Sequence, residues 1–452
     1  MQRGNHQRAR SSPRRFHPML CLCWGGVLPN GRTRYFLAPY PSARICAMNQ
    51  TNKTTPEKAP PFRFTLSEFS GALADLGVML PLVLGLISLN GMNAAAAFVG
   101  IGLAYILTAL VYHLPVPVQP LKSVSAIALA MNLAPVVIVT GAIWNAIAFL
   151  GMGFSGSDKW VQKAFPKPVV RGIQLGLAYL LAKSAWTLTT APKPDWKGGL
   201  NLQTVTLSWN VLLVAGALLF LLLFLRWRKD WAALGVFIFG LGISSYHLGL
   251  PTIHLNLSLP PLFPLIPTWG QLWQGFLLLA LPQIPLSLGN SIYATADAAK
   301  QYFGEQARHV TPRRLMITMG INDALTAVLG GIPLCHGCGG LTAHYRLGAR
   351  SGGAPLIIGG IFLLIGLFGG QTVMDIFRLI PFPILGILLA YIAWQHALLI
   401  RDLRGKREWT TAILVLLLTL YTGNLAIGFV SAAVFHYLWG WLAARLQSSQ
   451  AA

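Results

Sequence analysis

"LPVPVQPLKS" at residues 114–123 and "GIPLCHGCGG" at residues 331–340 are the two stretches on which the fold of this chain turns. Each breaks apolar sequence with prolines or glycines where a helix would otherwise run. Proline lacks the N–H that a helix needs, and glycine weakens a helix by about 1 kcal/mol relative to alanine. The second stretch sits in a window, residues 330–353, that holds two cysteines, two histidines and eight glycines. A metal site, a redox pair and a helix start shaped for close backbone approach all need weighing there.

Outward from these stretches the chain is very apolar. Of its 452 residues, 54% are hydrophobic and 10% charged, and the mean hydropathy is +0.59. That excludes a soluble protein of ordinary composition and places the chain in a bilayer. Five cysteines, with Cys21, Cys23 and Cys46 in a polar tail and Cys335 and Cys338 in apolar sequence, do not suggest a disulfide framework. The net charge of +22 comes from Lys and Arg in short connections between apolar runs rather than on one face. Membrane topology explains this charge, and nucleic acid is not expected as a partner.

A membrane helix needs roughly 20 apolar residues. Candidate spans lie near 69–89, 94–113, 118–132, 135–154, 168–186, 209–226, 231–248, 273–296, 313–331, 336–348, 354–369, 382–400, 410–421 and 423–442. They number about fourteen, several of them short. The basic connections test this count, because Lys and Arg should stay on the cytoplasmic side. With both termini inside, the connections at 159–167, 226–229, 300–314, 346–350 and 401–407 fall on one side. Those at 90–93, 249–268, 332–335, 370–371 and 421–424, free of Lys and Arg, fall on the other. Lys183, Lys193 and Lys197 depart from the rule, partly offset by Asp195.

The two broken stretches also mark an internal repeat. "FPKPVVRGIQLGLAYLLA" at 165–182 and "IPFPILGILLAYIAW" at 380–394 resemble one another, and each follows its broken stretch at nearly the same distance, Pro117 to Pro166 and Pro333 to Pro381. Two halves of seven spans each, an odd number, enter from opposite sides, which is the architecture of secondary transporters. The reading is an all-α polytopic membrane protein made of two inverted seven-span repeats, residues 65–250 and 269–442, each with one broken half-helix span. Residues 1–64 form a basic, disordered tail, with no Asp or Glu in the first 56. A start at Met48 and an organelle transit peptide are the two readings of that tail.

In lipid, irregular backbone survives only where it is buried in protein or lines a cavity, so matched broken spans point to a binding site. Two half-helices starting near Pro120 and His336 would turn their N-termini toward each other, and converging N-termini favour an anion. Gly337, Gly339 and Gly340 let it approach the backbone. Lys122, a charge within an apolar span, is functional by default, although a buried salt bridge to Asp75 is the bland alternative. Gln119, Ser123, Gln283 and His336 add neutral donors, unless they only join helices. Cys338 lies among the glycines of the proposed anion site. Zinc needs about four ligands in a polar setting, and a redox Cys-x-x-Cys needs a thioredoxin-like context, so neither metal nor redox chemistry is expected of Cys335, His336, Cys338 and His344.

"GALADLGVMLPLVLGL", "PVPVQPLKSVSAIA", "PVVRGIQLG", "LPQIPLSLGNS" and "PLCHGCGGLTAHYRLGARSGG" together resemble the molybdate transporter family, distant relatives of the sulfate permeases, over about residues 65–440. The resemblance implies a molybdate carrier with a core-and-gate inverted-repeat fold. Sulfate permeases usually carry a cytoplasmic C-terminal domain, which is not expected here after the last span; that favours the molybdate branch. Cys338 departs from the family pattern, which would have a small non-thiol residue there.

The function expected is proton-coupled import of molybdate by a secondary active transporter. Sulfate or tungstate carriage, or an anion channel or sensor on the same scaffold, are the alternatives, and an enzyme is not expected. Of the acids inside spans, Asp75, Asp297 and Asp323, the first two are the expected proton carriers. Asp75 comes first because its span packs against both broken helices in the implied fold. Molybdate or a related oxyanion, protons and the lipid bilayer are the expected partners, homodimerisation is left open, and no cofactor is expected. The membrane expected is the plasma or inner membrane.

Overall fold

The computed structural model describes residues 21–27, 33–38, 62–73, 76–190, 199–202, 205–227, 232–250, 252, 256–369, 372, 375, 379 and 381–451. The chain divides into two units, Met1–Glu57 and Lys58–Ala452. In the first, where the sequence shows no strand period, β1 (Cys21–Val27) and β2 (Thr33–Ala38) pair antiparallel from Cys21↔Ala38 to Val27↔Thr33.

The second unit is helical. Its first half holds α1 (Leu66–Leu73), α2 (Leu76–Ser88), α3 (Ala94–Tyr112), β3 (Gln119–Pro120), α4 (Lys122–Met131), α5 (Pro135–Ser155), α6 (Asp158–Ala164) and α7 (Lys167–Thr190). A hairpin of β4 (Gly199–Leu202) and β5 (Val205–Ser208) leads into α8 (Trp209–Trp227) and α9 (Ala232–Leu248). Then come α10 (Trp269–Gly275), α11 (Leu281–Ser287), α12 (Ala294–Phe303), α13 (Pro312–Leu329), β6 (Leu334–Cys335), α14 (Cys338–Arg346), α15 (Gly353–Phe368), α16 (Phe382–Leu398), α17 (Lys406–Thr422) and α18 (Leu425–Ala451). Each stretch marked as a span from the sequence contains described helix. Among the described residues, five helical runs, Ala94–Tyr112, Pro135–Ser155, Trp269–His309, Phe382–Asp402 and Leu425–Ala443, are long and apolar enough to cross a membrane, and five more apolar helices are shorter.

Local sequence fixes many of these ends. Asn93 caps α3 by accepting from the amide of Ala96 at 2.9 Å, and Thr311 caps α13 through Arg314. Pro135 and Pro312 open their helices, where a missing N–H costs nothing. Gly156 and Gly330 close α5 and α13 at φ 69° and 66°, a left-handed backbone that glycine adopts freely.

The run from α10 to α12 is not a plain helix. Pro282 and Pro285 remove amide donors from its middle, and the backbone absorbs this with π turns over Phe276–Ala280 and Leu288–Tyr293 on either side of α11. These turns frame Gln283, which bears on the site described below.

Three packings dominate the helical unit: α3 against α15, α5 against α13, and α7 against α16. The first depends on small residues. A Cβ added at Gly102 would lie 2.8 Å from the Gly359 carbonyl, and one at Gly359 would lie 2.9 Å from the Gly102 carbonyl. Such close crossing is what lets helices gain dispersion contacts where lipid offers no hydrophobic drive. The buried core, with Met79, Leu82, Val124, Ile138, Leu334 and Leu389, surrounds the two broken segments.

Candidate functional site

The broken segments meet. Gln119 pairs with Cys335 and Pro120 with Leu334 in an antiparallel two-residue ladder, and the Leu121 amide donates to the Pro333 carbonyl at 2.9 Å. Both α4 and α14 begin within three residues of this crossing, and neither N-cap residue, Leu121 or Gly337, supplies a side-chain cap.

Prolines leave the first segment rich in carbonyls, and the second segment supplies their partners. His344 Nδ1 donates to the Pro115 carbonyl at 2.9 Å and His336 Nδ1 to that of Pro117 at 3.0 Å. Cys335 Sγ lies 3.9 Å from the Pro120 carbonyl. His344, His336 and, more weakly, Cys335 therefore serve backbone satisfaction, which matters because an unpaired carbonyl at membrane depth costs several kcal/mol. Two groups of α13 brace the same segment. Thr318 Oγ1 meets His336 Nε2 at 2.8 Å and the Tyr112 hydroxyl at 2.7 Å, and Asp323 Oδ1 accepts from the Leu334 amide at 2.7 Å.

The start of α4 is capped from outside. Gln283 Oε1 accepts from the amides of Ser123 (2.9 Å) and Val124 (3.3 Å), while its Nε2 donates to Ser287 Oγ at 2.7 Å. Beside it lies a cavity of about 50 Å³ lined by Lys122, Gln174, Gln283, Asn290, Ser291, Cys335 and His396, with Leu286 and Leu399. At ~10–15 Å³ per water, that space suits a few waters or one small ion. Lys122 is the ammonium of this lining, and no acid stands among the described lining residues. Among the described residues no acid pairs with Lys122; Asp75, the partner of the salt-bridge alternative, lies outside them. Behind Gln174, Arg171 donates through Nη1 to its Oε1 at 2.8 Å and through Nε and Nη2 to the Asp402 carboxylate at 2.9 and 2.6 Å.

A larger cavity of about 450 Å³ between α5, α13 and residues 263–267 is lined by apolar side chains such as Val139, Ile143, Phe263 and Val328. It has nothing to offer an anion.

Of the residues expected from sequence, Lys122 and Gln283 line the small cavity. Ser123 is fully buried with its amide on Gln283. Gln119 sits against Gly337, where an added Cβ would lie 2.8 Å from its Oε1. Cys338 and Gly340 are buried in the first turn of α14, whereas Gly339 is exposed with open space around it. His336 has both ring nitrogens engaged and is not among the residues lining the cavity. Asp297, on α12, stands outside this lining, three residues before Lys300. Sequence reading passed over Gln174, Asn290, Ser291 and His396. Their signal was a polar side chain inside an apolar helix, which does not say which neighbour it meets.

A model of the family described as "Molybdate transporter of MFS superfamily" matches residues 67–181 and 275–395, more than half of the chain. The chain belongs to the molybdate transporter family. Relatives in it include "Molybdate transporter 2" of Arabidopsis thaliana, 28% identical over 411 residues, covering 82% of this chain and 87% of that protein. "Molybdate transporter 1" of Chlamydomonas reinhardtii is 26% identical over 472 residues, covering 82% and 91%. Among solved structures, the transmembrane domain of the cyanobacterial bicarbonate transporter BicA matches with a TM-score of 0.58 and 14% identity, over 82% of this chain and 96% of that one. The murine anion transporter Slc26a9 in its inward-facing state matches with a TM-score of 0.61 and 14% identity, over 85% and 70%. At that identity the likeness is one of fold. This member of the molybdate transporter family is thus an all-α, multi-pass membrane protein, a transporter and not an enzyme.

Proposed function

We propose that the protein is a secondary active importer of molybdate and binds the anion where α4 and α14 begin. The observation that carries this reading is Lys122 on a small polar cavity at the start of α4, with no acid in its described lining. The names of the relatives supply the substrate. In this reading Lys122 gives the positive charge, Gln283 orients the start of α4, and the amides of Cys338, Gly339 and Gly340 face the oxyanion from α14. Gln119, Ser123, His336 and Gly337 hold the two helix starts in register.

The two halves, residues 65–250 and 269–442, are taken as inverted repeats. Exchanging them maps α3 onto α13 and α5 onto α15, so the packing of α3 on α15 becomes that of α13 on α5, and α7 on α16 maps onto itself. The presence of all three packings supports the repeat. Both termini are placed on the cytoplasmic side of the plasma membrane.

Moving a dianion into a negative-inside cell costs about 4.6 kcal/mol at 100 mV for its two charges, so the reading includes proton coupling. Asp75 and Asp297 are its proposed carriers, passing protons between the solution and the anion site; each Asp→Asn variant should exchange molybdate yet ignore an imposed pH gradient. The experiment that tests the function is molybdate uptake measured by mass spectrometry of the metal in proteoliposomes, with sulfate and tungstate as competitors. Saturable uptake that excess sulfate does not displace is expected. Displacement by equimolar sulfate would reassign the substrate, and absence of saturable anion uptake would end the reading.

A further inference from the structure

Lys122 shares its cavity with a second basic group, His396, which α16 contributes. The residue is 8% exposed, and no described protein group bonds its Nδ1. A buried polar atom without a partner is costly, so such an atom beside a cavity marks a place for a ligand.

Charge counting says which ligand and in what company. A tetrahedral dianion beside Lys122 leaves one negative charge uncompensated, since no other charged side chain stands among the described lining residues. With the cavity unfilled, a proton on His396 would instead set two cations in one enclosure. Either imbalance is expensive away from bulk water. We infer that His396 takes up one proton together with the dianion, so that anion and proton load the cavity as a single neutral set with Lys122. The proton comes from the solution on the side where the anion arrives, binds the imidazole lone pair, and leaves with the anion on the other side.

The surroundings of His396 leave this role to it. From α7 come Lys167 and Arg171, which share the carboxylate of Asp402, and Tyr179, a partly buried phenol like Tyr391 on α16 itself. Lys183 of α7, Arg226 of α8 and Tyr246 and His247 of α9 are exposed. Arg401 follows in the turn that ends in Asp402, and α2 has no titratable side chain among its described residues. No acid of these elements other than Asp402 is available to receive the proton.

The inference rests on the cavity being the anion site, and the test separates the two. The purified full-length protein in weakly buffered detergent solution is titrated with sodium molybdate, then tungstate and sulfate, while heat and released or absorbed protons are recorded. The wild type should take up about one proton per anion, and its affinity should rise up to about tenfold per unit fall in pH across the linked window. In His396→Gln and His396→Asn, each checked for a monodisperse size-exclusion peak, proton uptake should vanish and the weakened affinity should lose its pH dependence. Wild-type binding without proton uptake, or variants that keep wild-type uptake, would overturn the role of His396 while leaving the anion site standing. Failure of the wild type to bind any of the three anions would overturn both.

Discussion

His336 Nδ1 lies 3.0 Å from the carbonyl of Pro117, a hydrogen bond across 219 positions of sequence that fastens one broken segment to the other. Thr318 holds the opposite ring nitrogen at 2.8 Å, so the imidazole is fixed at both ends in a fully buried place. His336→Ala should leave the Pro117 carbonyl unpaired and destabilise the protein by about 1–3 kcal/mol. A thermal-shift measurement should show a clear fall in melting temperature, with uptake lost at temperatures the wild type tolerates. An unchanged melting temperature would mean that the bond carries no weight.

Lys122→Ala should abolish or strongly weaken molybdate uptake without loss of membrane expression, because it removes the ammonium that lines the cavity. Wild-type uptake by this variant would remove the cavity from consideration as the anion site.

Gln283 offers a sharper comparison. Its Oε1 accepts from two amides of α4 while its Nε2 donates to Ser287. Gln283→Glu keeps the shape and the accepting oxygen but sets a negative charge against the anion, so uptake should fall by at least tenfold while thermal stability stays near wild type. Gln283→Ala should lose both, by about 1 kcal/mol or more for the exposed helix start. Equal uptake by Gln283→Glu and wild type would argue against an anion there.

The two thiols and the glycines should behave differently. Cys335 meets Pro120 only through a long, weak sulfur contact, so Cys335→Ala with Cys338→Ala should retain uptake and ignore zinc chelators. Gly337→Ala should impair uptake, since its Cβ would press on Gln119 at 2.8 Å. The sequence alone expects Gly339 to be as sensitive. A Cβ there meets open space, so Gly339→Ala should be tolerated, and a bulkier residue only if the anion does not pass on that side.

Gly102→Leu should separate α3 from α15, because the Gly359 carbonyl occupies the space a side chain would need. Loss of monodisperse protein after extraction is the expected result, and a well-folded variant would show that the crossing can relax.

Much of this protein is written locally. A proline without an N–H, a cap such as Asn93 or Thr311, and twenty apolar residues in a row act over a few neighbouring positions, so the sequence by itself determined the membrane class, the places of the helices and the two breaks. It also exposed Lys122, because a charge inside an apolar run is costly wherever the run ends up. What it left undecided is every relation that joins distant elements. The sequence shows His336 and Cys335 as possible ligands, yet only the crossing of two segments more than two hundred residues apart turns them toward proline carbonyls. The sequence shows Gln283 and His396 as polar residues in apolar helices; only packing puts one on the amides of α4 and the other in the cavity of Lys122. A buried polar group must find a partner, and which partner it finds depends on which of many apolar faces meet, a choice that the tertiary structure makes.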